Sequence, residues 1–184
     1  MIEVGAIRDR DKVNELKRQA RKLGEQQYLL VLIGLNSGLR IGDILRLKAS
    51  DFRESDELCL KEQKTGKKTY IEMHPAVLLE IRKMISKKAD DELLFPSPQL
   101  KRRKEAISYK TAYSWVNKAA RAAGIKGAVG CHTLRKTYGY HFYQDKRDVA
   151  LLMEHFNHSD QGVTLRYIGI VREYKNKKTR DFKI

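Results

Sequence analysis

The 184-residue chain carries 38 Lys and Arg against 23 Asp and Glu, a formal net charge of +15. With 41% apolar and 33% charged residues and no low-complexity tract, it is suited to one well-buried core, which argues against pervasive disorder. The charge favours a polyanionic partner, nucleic acid or an anionic membrane surface, over a neutral small substrate, though charge alone decides nothing.

The start, Met1-Ile2-Glu3-Val4, has no basic stretch leading into an apolar one, so no signal peptide is evident. Arg8 to Lys22 reads as a charged helix with Val13 and Leu16 turned inward. Glu25 to Asn36 reads as a largely buried helix closed by Ser37-Gly38. Its apolar run, Tyr28 to Leu35, contains a glycine and is far too short to span a bilayer. Ile41 to Leu47 continues as a short helix. There the period changes: Ser50 to Arg53, Glu57 to Glu62 and Lys68 to Met73 read as short strands, the last two joined around Lys64-Thr65-Gly66-Lys67 as a hairpin. His74-Pro75 opens another helix with Val77, Leu78, Ile81 and Ile85 at helical spacing.

Leu93 to Pro98 reads as an extended connection, and Lys101-Arg102-Arg103-Lys104 as a basic run in a loop. Ser108 is placed to cap a helix running to about Ala123. Thr133 to Gln144, Asp148 to Phe156 and Gln161 to Ile168 follow as helices. The lysine-rich tail from Val171 to Ile184 lacks the bulky apolar stripe that a membrane-surface helix needs. The expected fold is mainly α with a small antiparallel β-sheet (α+β). No linker or internal repeat interrupts it, which gives one domain over residues 1–170 and a tail over 171–184. Cys59 and Cys131 lie far apart with no ligand spacing, and read as buried small hydrophobes of a reducing compartment.

A few residues stand out for chemistry. Arg40 is flanked by residues bound for the interior, where a charge needs a partner; Asp43, three residues on, can hold the guanidinium across one turn. Taken alone, a structural Arg40–Asp43 pair is the favoured reading. His132 and Arg135 share a helix face, and the guanidinium can grip two phosphate oxygens where lysine cannot. His132 can donate to the same phosphate or move a proton. His158 lies in a turn between helices, while His155 belongs on the helix before it. Tyr167, nine residues after His158, is one of nine tyrosines, and packing explains most helical tyrosines. As a nucleophile it must lose its proton in step with attack, its free pKa being about 10. Lys64 is a candidate general acid, in competition with Lys61, Lys67 and Lys68. Lys101, Arg102, Arg103 and Lys104 are candidate DNA contacts, although a charge run is usually a solvated surface.

Jointly, the order and spacing of these boxes resemble the tyrosine recombinase, or phage integrase, family. Gly38-Leu39-Arg40-Ile41-Gly42-Asp43 resembles its first arginine box, with Asp43 in a supporting role. Lys64 matches the lysine of its β-hairpin, and His132-Thr133-Leu134-Arg135 its HxLR box. Asn157-His158-Ser159 resembles the third box, usually Gly-His-Ser, and Tyr167 falls at the nucleophile's place. The likeness runs from about residue 5 to residue 170.

The resemblance implies a tyrosine recombinase catalytic domain that breaks and rejoins DNA strands with no metal, other cofactor or ATP. Arg40, Arg135, His132 and His158 would hold the scissile phosphate, Tyr167 would attack it and Lys64 would protonate the leaving oxygen. It implies double-stranded DNA as partner, a homo-oligomer (a tetramer) on that DNA, accessory DNA-bending proteins, a tail docked on a neighbouring protomer, and a cytoplasmic, bacterial or phage-encoded protein. The helical core-binding domain that usually precedes the catalytic one is expected to be absent. Two rival expectations stand beside it: a non-catalytic DNA-binding or regulatory protein of the same fold, and DNA relaxation in the manner of type IB topoisomerases.

Overall fold

The computed structural model describes residues 4–53, 55–64, 66–99, 104–180 and 182–183. Among them run α1 (Arg10–Leu23), α2 (Glu25–Ser37), α3 (Ile41–Ile44), β1 (Glu57–Lys61), β2 (Lys68–Glu72), α4 (Pro75–Met84), α5 (Tyr109–Ala122), α6 (Cys131–Lys146), α7 (Val149–His155), α8 (Gln161–Tyr167) and α9 (Ile170–Arg180). The expected class, helical with one small antiparallel sheet, is the observed one. No helix among the described residues is long and apolar enough to cross a membrane.

The organising element is α2. It is apolar on every side, so it can only be stable where other helices surround it. Leu29 to Ile33 are buried, and α1, α4, α5 and α6 pack around them. Gly34 sets the approach of α6, because a Cβ there would sit 2.7 Å from Leu134 Cδ1. A smaller apolar cluster of Tyr140, Leu152, Phe156 and Ile168 binds α7 and α8 to the far end of α6.

At its C-terminus α2 closes on Gly38 in the left-handed conformation, φ 62. A Cβ built there falls 2.4 Å from Cδ1 of Tyr138. Gly38→Ala combines an unfavourable backbone with a clash against a ring, so thermal melting should report a loss of about 1–3 kcal/mol.

Two local expectations are corrected. The helix predicted to reach Leu47 ends at Ile44, where the ladder tightens to i,i+3: the Arg46 and Leu47 N–H groups donate to the Asp43 and Ile44 carbonyls at 3.2 Å, and the Leu47 carbonyl turns away to accept the Leu94 N–H at 2.8 Å. Ser50 to Arg53 is no strand: Ser50–Phe52 forms a single 3-10 turn. Asp51 tightens it by accepting the Lys48 N–H at 2.8 Å, and the apolar residue of the segment, Phe52, is fully buried.

The hairpin follows the predicted pattern, with Leu58 opposite Ile71 on the buried face. The same alternation turns Cys59 outward, opposite Tyr70, so this thiol is exposed rather than buried as expected. Pro75 opens α4 and Ser108 caps α5, its hydroxyl accepting the Thr111 N–H at 3.1 Å. The tail expected after residue 170 contains α9. Arg8 secures that helix by donating to the Gly169 carbonyl at 3.0 Å and pairing with Glu173 at 3.2 Å.

Candidate active site

Each candidate side chain is delivered by the end of an element. Arg40 follows the Gly38 cap in extended conformation, φ −70 and ψ 145, as the residue that starts α3. Its Nη2 donates to the Phe156 carbonyl at 3.3 Å, and its Nη1 pairs with Glu62 at 2.6 Å. The expected partner, Asp43, is engaged elsewhere. Its carboxylate accepts the Gln63 N–H at 2.8 Å and pairs with Arg46 at 2.9 Å. Arg40 stands outside the helical turn, so Arg46, three residues beyond Asp43, takes the i,i+3 position. Asp43 supports the site by fastening the base of the hairpin to the first arginine box.

Arg135 lies one turn into α6 and is 3% exposed. Nη1 donates to the Gly38 carbonyl at 2.5 Å and Nη2 to the Phe156 carbonyl at 3.0 Å, with the guanidinium 4.2 Å from the centre of the Phe156 ring. Burial pushes this group down to about 10, which leaves it charged at neutral pH. The Phe156 carbonyl, just past the end of α7, thus accepts from both arginines and fixes their separation.

His132 is the second residue of α6, whose first turn closes where Thr133 Oγ1 accepts the Gly130 N–H at 3.1 Å. The imidazole sits at the rim of a cavity of about 980 Å³ that Lys136 and Tyr167 also line. Desolvation by the surrounding cleft lowers its pKa, and Arg135, Lys136, Arg40 and Lys64 lower it further. The hairpin lysine is therefore near enough for its charge to be felt there. Lys64, Lys61, Lys67 and Lys68 are all exposed.

His158 is half-buried, its Nδ1 3.0 Å from Thr164 Oγ1. The Thr164 hydroxyl donates to the Asp160 carbonyl at 3.4 Å, so its oxygen accepts from Nδ1–H and the lone pair of His158 rests on Nε2. Burial lowers this imidazole, as do Arg135 and Arg40, against an opposing pull from Asp160. Tyr167, the last residue of α8, packs edge-on against His158 and Phe156, ring centres 5.2 and 5.6 Å apart. The Lys136 ammonium lies 5.1 Å from its ring centre. Burial raises the phenol, while Arg135 and Arg40 pull it back.

The structure thus brings Arg40, His132, Arg135, His158 and Tyr167 within electrostatic reach of one another, with Lys64 close enough to act on His132. His155 is structural, bound to the Ser37 carbonyl at 2.8 Å and stacked on Tyr138. Lys104 is exposed, and Lys101, Arg102 and Arg103 lie outside the described residues. One site residue escaped the sequence reading: Glu62, 1% exposed. Its signal was the alternation Leu58, Leu60, Glu62, which carries a carboxylate onto the inner face of the hairpin. Two charged forks and two neutral imidazoles beside a phenol suit a phosphodiester anion, bound by the forks and open to attack.

Comparison with known proteins bears on this arrangement. The model of the Phage integrase family matches residues 8–173. The chain is 40% identical over 167 residues to the probable integrase/recombinase YoeC of Bacillus subtilis, covering 91% of this chain and 90% of that protein. It is 27% identical over 147 residues to the tyrosine recombinase XerA of Pyrococcus furiosus, covering 79% of this chain and 51% of that one, so it spans about half the length of the archaeal relative. Among solved structures, the XerH site-specific recombinase bound to palindromic difH substrate in a post-cleavage complex shares the fold. It has a TM-score of 0.74 at 18% identity, over 97% of this chain and 54% of that one.

Proposed function

Since the chain belongs to the phage integrase family, we propose that it breaks and rejoins duplex DNA through a 3′-phosphotyrosyl intermediate on Tyr167. The observation that carries this reading is the convergence of Tyr167 and His158 on Arg135 and Arg40, whose shared anchor is one carbonyl. The phosphate's two non-bridging oxygens take the donors that the arginines have left over, and charge building on phosphorus is met by groups already in place. Tyr167 Oη attacks in line: a Tyr O–P bond forms and the P–O5′ bond breaks. The phenol proton passes to a neutral imidazole, and the Lys64 ammonium supplies a proton to the departing 5′-oxygen. Religation is the reverse, with a 5′-hydroxyl attacking the phosphotyrosine. The phosphodiester energy is kept in that bond, so no ATP is needed. Duplex DNA is the partner, met by the excess positive charge, and paired strand exchanges require several protomers on one DNA.

The test uses a pool of nicked duplexes with a randomised central segment, in which the short 5′-hydroxyl fragment diffuses away after cleavage and traps the covalent adduct. Adducts resolved on a denaturing gel, absent in Tyr167→Phe, support the reading. Their absence across the whole pool, with duplex binding retained, overturns it. Plasmid relaxation without strand exchange would convert it into a relaxation activity.

The imidazoles give a pH dependence. Both His132 and His158 titrate below the ordinary 6.5, so both are neutral above it. A neutral ring is the form that can take the phenol proton. Single-turnover adduct formation should therefore be insensitive to these groups above pH 6.5 and fall as pH drops through their lowered pKa values. Folding stability should move the same way, because the unfolded chain binds those protons first. A rate that rises on acidification would contradict the assignment.

A further inference from the structure

We infer that Glu62 and Asn157 form a positioning pair that ties the third box to the first and sets where Arg40 and the hairpin lysine stand. Three observations carry it. Glu62 is buried at the end of β1, two residues before Lys64, and pairs with Arg40 Nη1 at 2.6 Å. Asn157 Nδ2 donates to Glu62 Oε2 at 3.1 Å. Asn157 also has φ 50, a left-handed conformation that glycine adopts freely and asparagine tolerates.

The last point separates two reasons for an asparagine in this turn. If the backbone alone mattered, glycine would serve better. Asparagine keeps the turn and adds a donor, and that donor meets the one carboxylate facing it. Without the Nδ2 bond, Glu62 Oε2 keeps its pair with Arg40 but loses the contact that fixes it from the third box, and the carboxylate gains room to turn. Arg40 would swing with it. Gln63, the next residue, is held to Asp43 through its N–H at 2.8 Å, so the strand end that leads into Lys64 is fastened to the first box at two adjacent residues. His158, adjacent to Asn157, registers the same turn. Around this pair the charged and titratable groups are Arg40 and Asp43 from the first box, Lys67 and Lys68 from the hairpin, Arg135 from α6, Asp148 and Glu154 from the start and body of α7, and His155 and His158 from its end and the turn after it. Neither Glu62 nor Asn157 needs to touch the phosphate, so both are positioning residues.

This inference rests on the proposed strand cleavage, and the experiment separates the two. Adduct formation on the nicked pool is followed in single turnover for wild type, Asn157→Gly, Asn157→Asp, Glu62→Gln and the exposed control Glu57→Gln, alongside thermal melting. Asn157→Gly, whose relief of the backbone at φ 50 partly offsets the lost hydrogen bond, should stay folded and melt no more than a few degrees from wild type yet form adduct on the order of ten-fold more slowly, since a small misplacement of a catalytic group is enough for that. Glu62→Gln should slow adduct formation similarly by removing the charge opposite Arg40, while Glu57→Gln should match wild type. Asn157→Asp sets two carboxyl groups at hydrogen-bond distance, where only one ionises readily. At low pH a shared proton restores the bond, so its rate relative to wild type should decline as pH rises. A wild-type adduct with Asn157→Gly and Glu62→Gln both within two-fold, or a pH-independent ratio for Asn157→Asp, overturns the pair. No wild-type adduct overturns the cleavage reading and the pair with it.

Discussion

Tyr167→Phe should abolish the covalent DNA adduct and leave the fold unchanged. The ring stays, and with it the edge-on contacts to Phe156 and His158 and the Lys136 ammonium over its face. Only the hydroxyl goes. Because the phenol is held above its ordinary pKa by burial, it is neutral in the resting protein, and its loss unbalances no charge. The melting temperature should shift by no more than one neutral hydrogen bond allows, about 1 kcal/mol. Adduct formation should fall by on the order of 10⁴-fold or more, as for other lost nucleophiles. Duplex affinity should stay within a few-fold, since the proposed mechanism assigns phosphate binding to the arginines and the surface charge. This combination discriminates. Loss of adduct with stability and binding intact identifies Tyr167 as the attacking group. Adduct persisting in the variant would move the nucleophile to another of the nine tyrosines.

Much of the site was legible because its parts obey local rules. A helix cap at Gly38, an i,i+3 relation between His132 and Arg135, and a glycine turn in the hairpin are each written within a few residues. Their order along the chain then pointed to a family. What the sequence left open depends on contacts between distant segments. Arg40 was paired with Asp43 by proximity in sequence, whereas the extended backbone at Arg40 turns it toward Glu62, 22 residues on. Asn157 read as a departure from a glycine, because its positive φ and its reach to Glu62 exist only once β1 and the turn after α7 are side by side. The Ser50–Arg53 segment read as a strand where the helical period breaks off, and a 3-10 turn breaks that period equally well while burying Phe52. Cys59 was misjudged in the opposite sense: composition favours burial for cysteine, and strand alternation overrode it.

Arg135→Lys should damage both stability and chemistry, which distinguishes it from any substitution at Tyr167. The guanidinium donates in two directions at once, to Gly38 at the end of α2 and to Phe156 at the end of α7. Both carbonyls lie in the interior, and both belong to helix ends whose last acceptors need partners. An ammonium reaches one of them at most and cannot lie flat on the Phe156 ring. Either the Gly38 carbonyl loses its donor or the Phe156 carbonyl keeps only the 3.3 Å bond from Arg40, at a cost of roughly 1–3 kcal/mol, read as an earlier denaturation midpoint with an unchanged slope. The chemical loss has a separate origin. The donors that remain for the phosphate are aimed by the two that are fixed, so a lysine keeps the charge but not the aim. Removing one preorganised donor from an oxyanion lowers rates by about 10²–10³-fold, and adduct formation should fall by that much under conditions where the variant is fully folded. Arg40→Lys provides the contrast. Arg40 shares the Phe156 carbonyl with Arg135, and its other anchor is the Glu62 carboxylate, to which an ammonium can still pair. Its stability should therefore drop less than that of Arg135→Lys while its rate drops comparably. Equal stability losses at the two positions would show that Arg135 is not the keystone between α2 and α7 that its two carbonyl bonds make it.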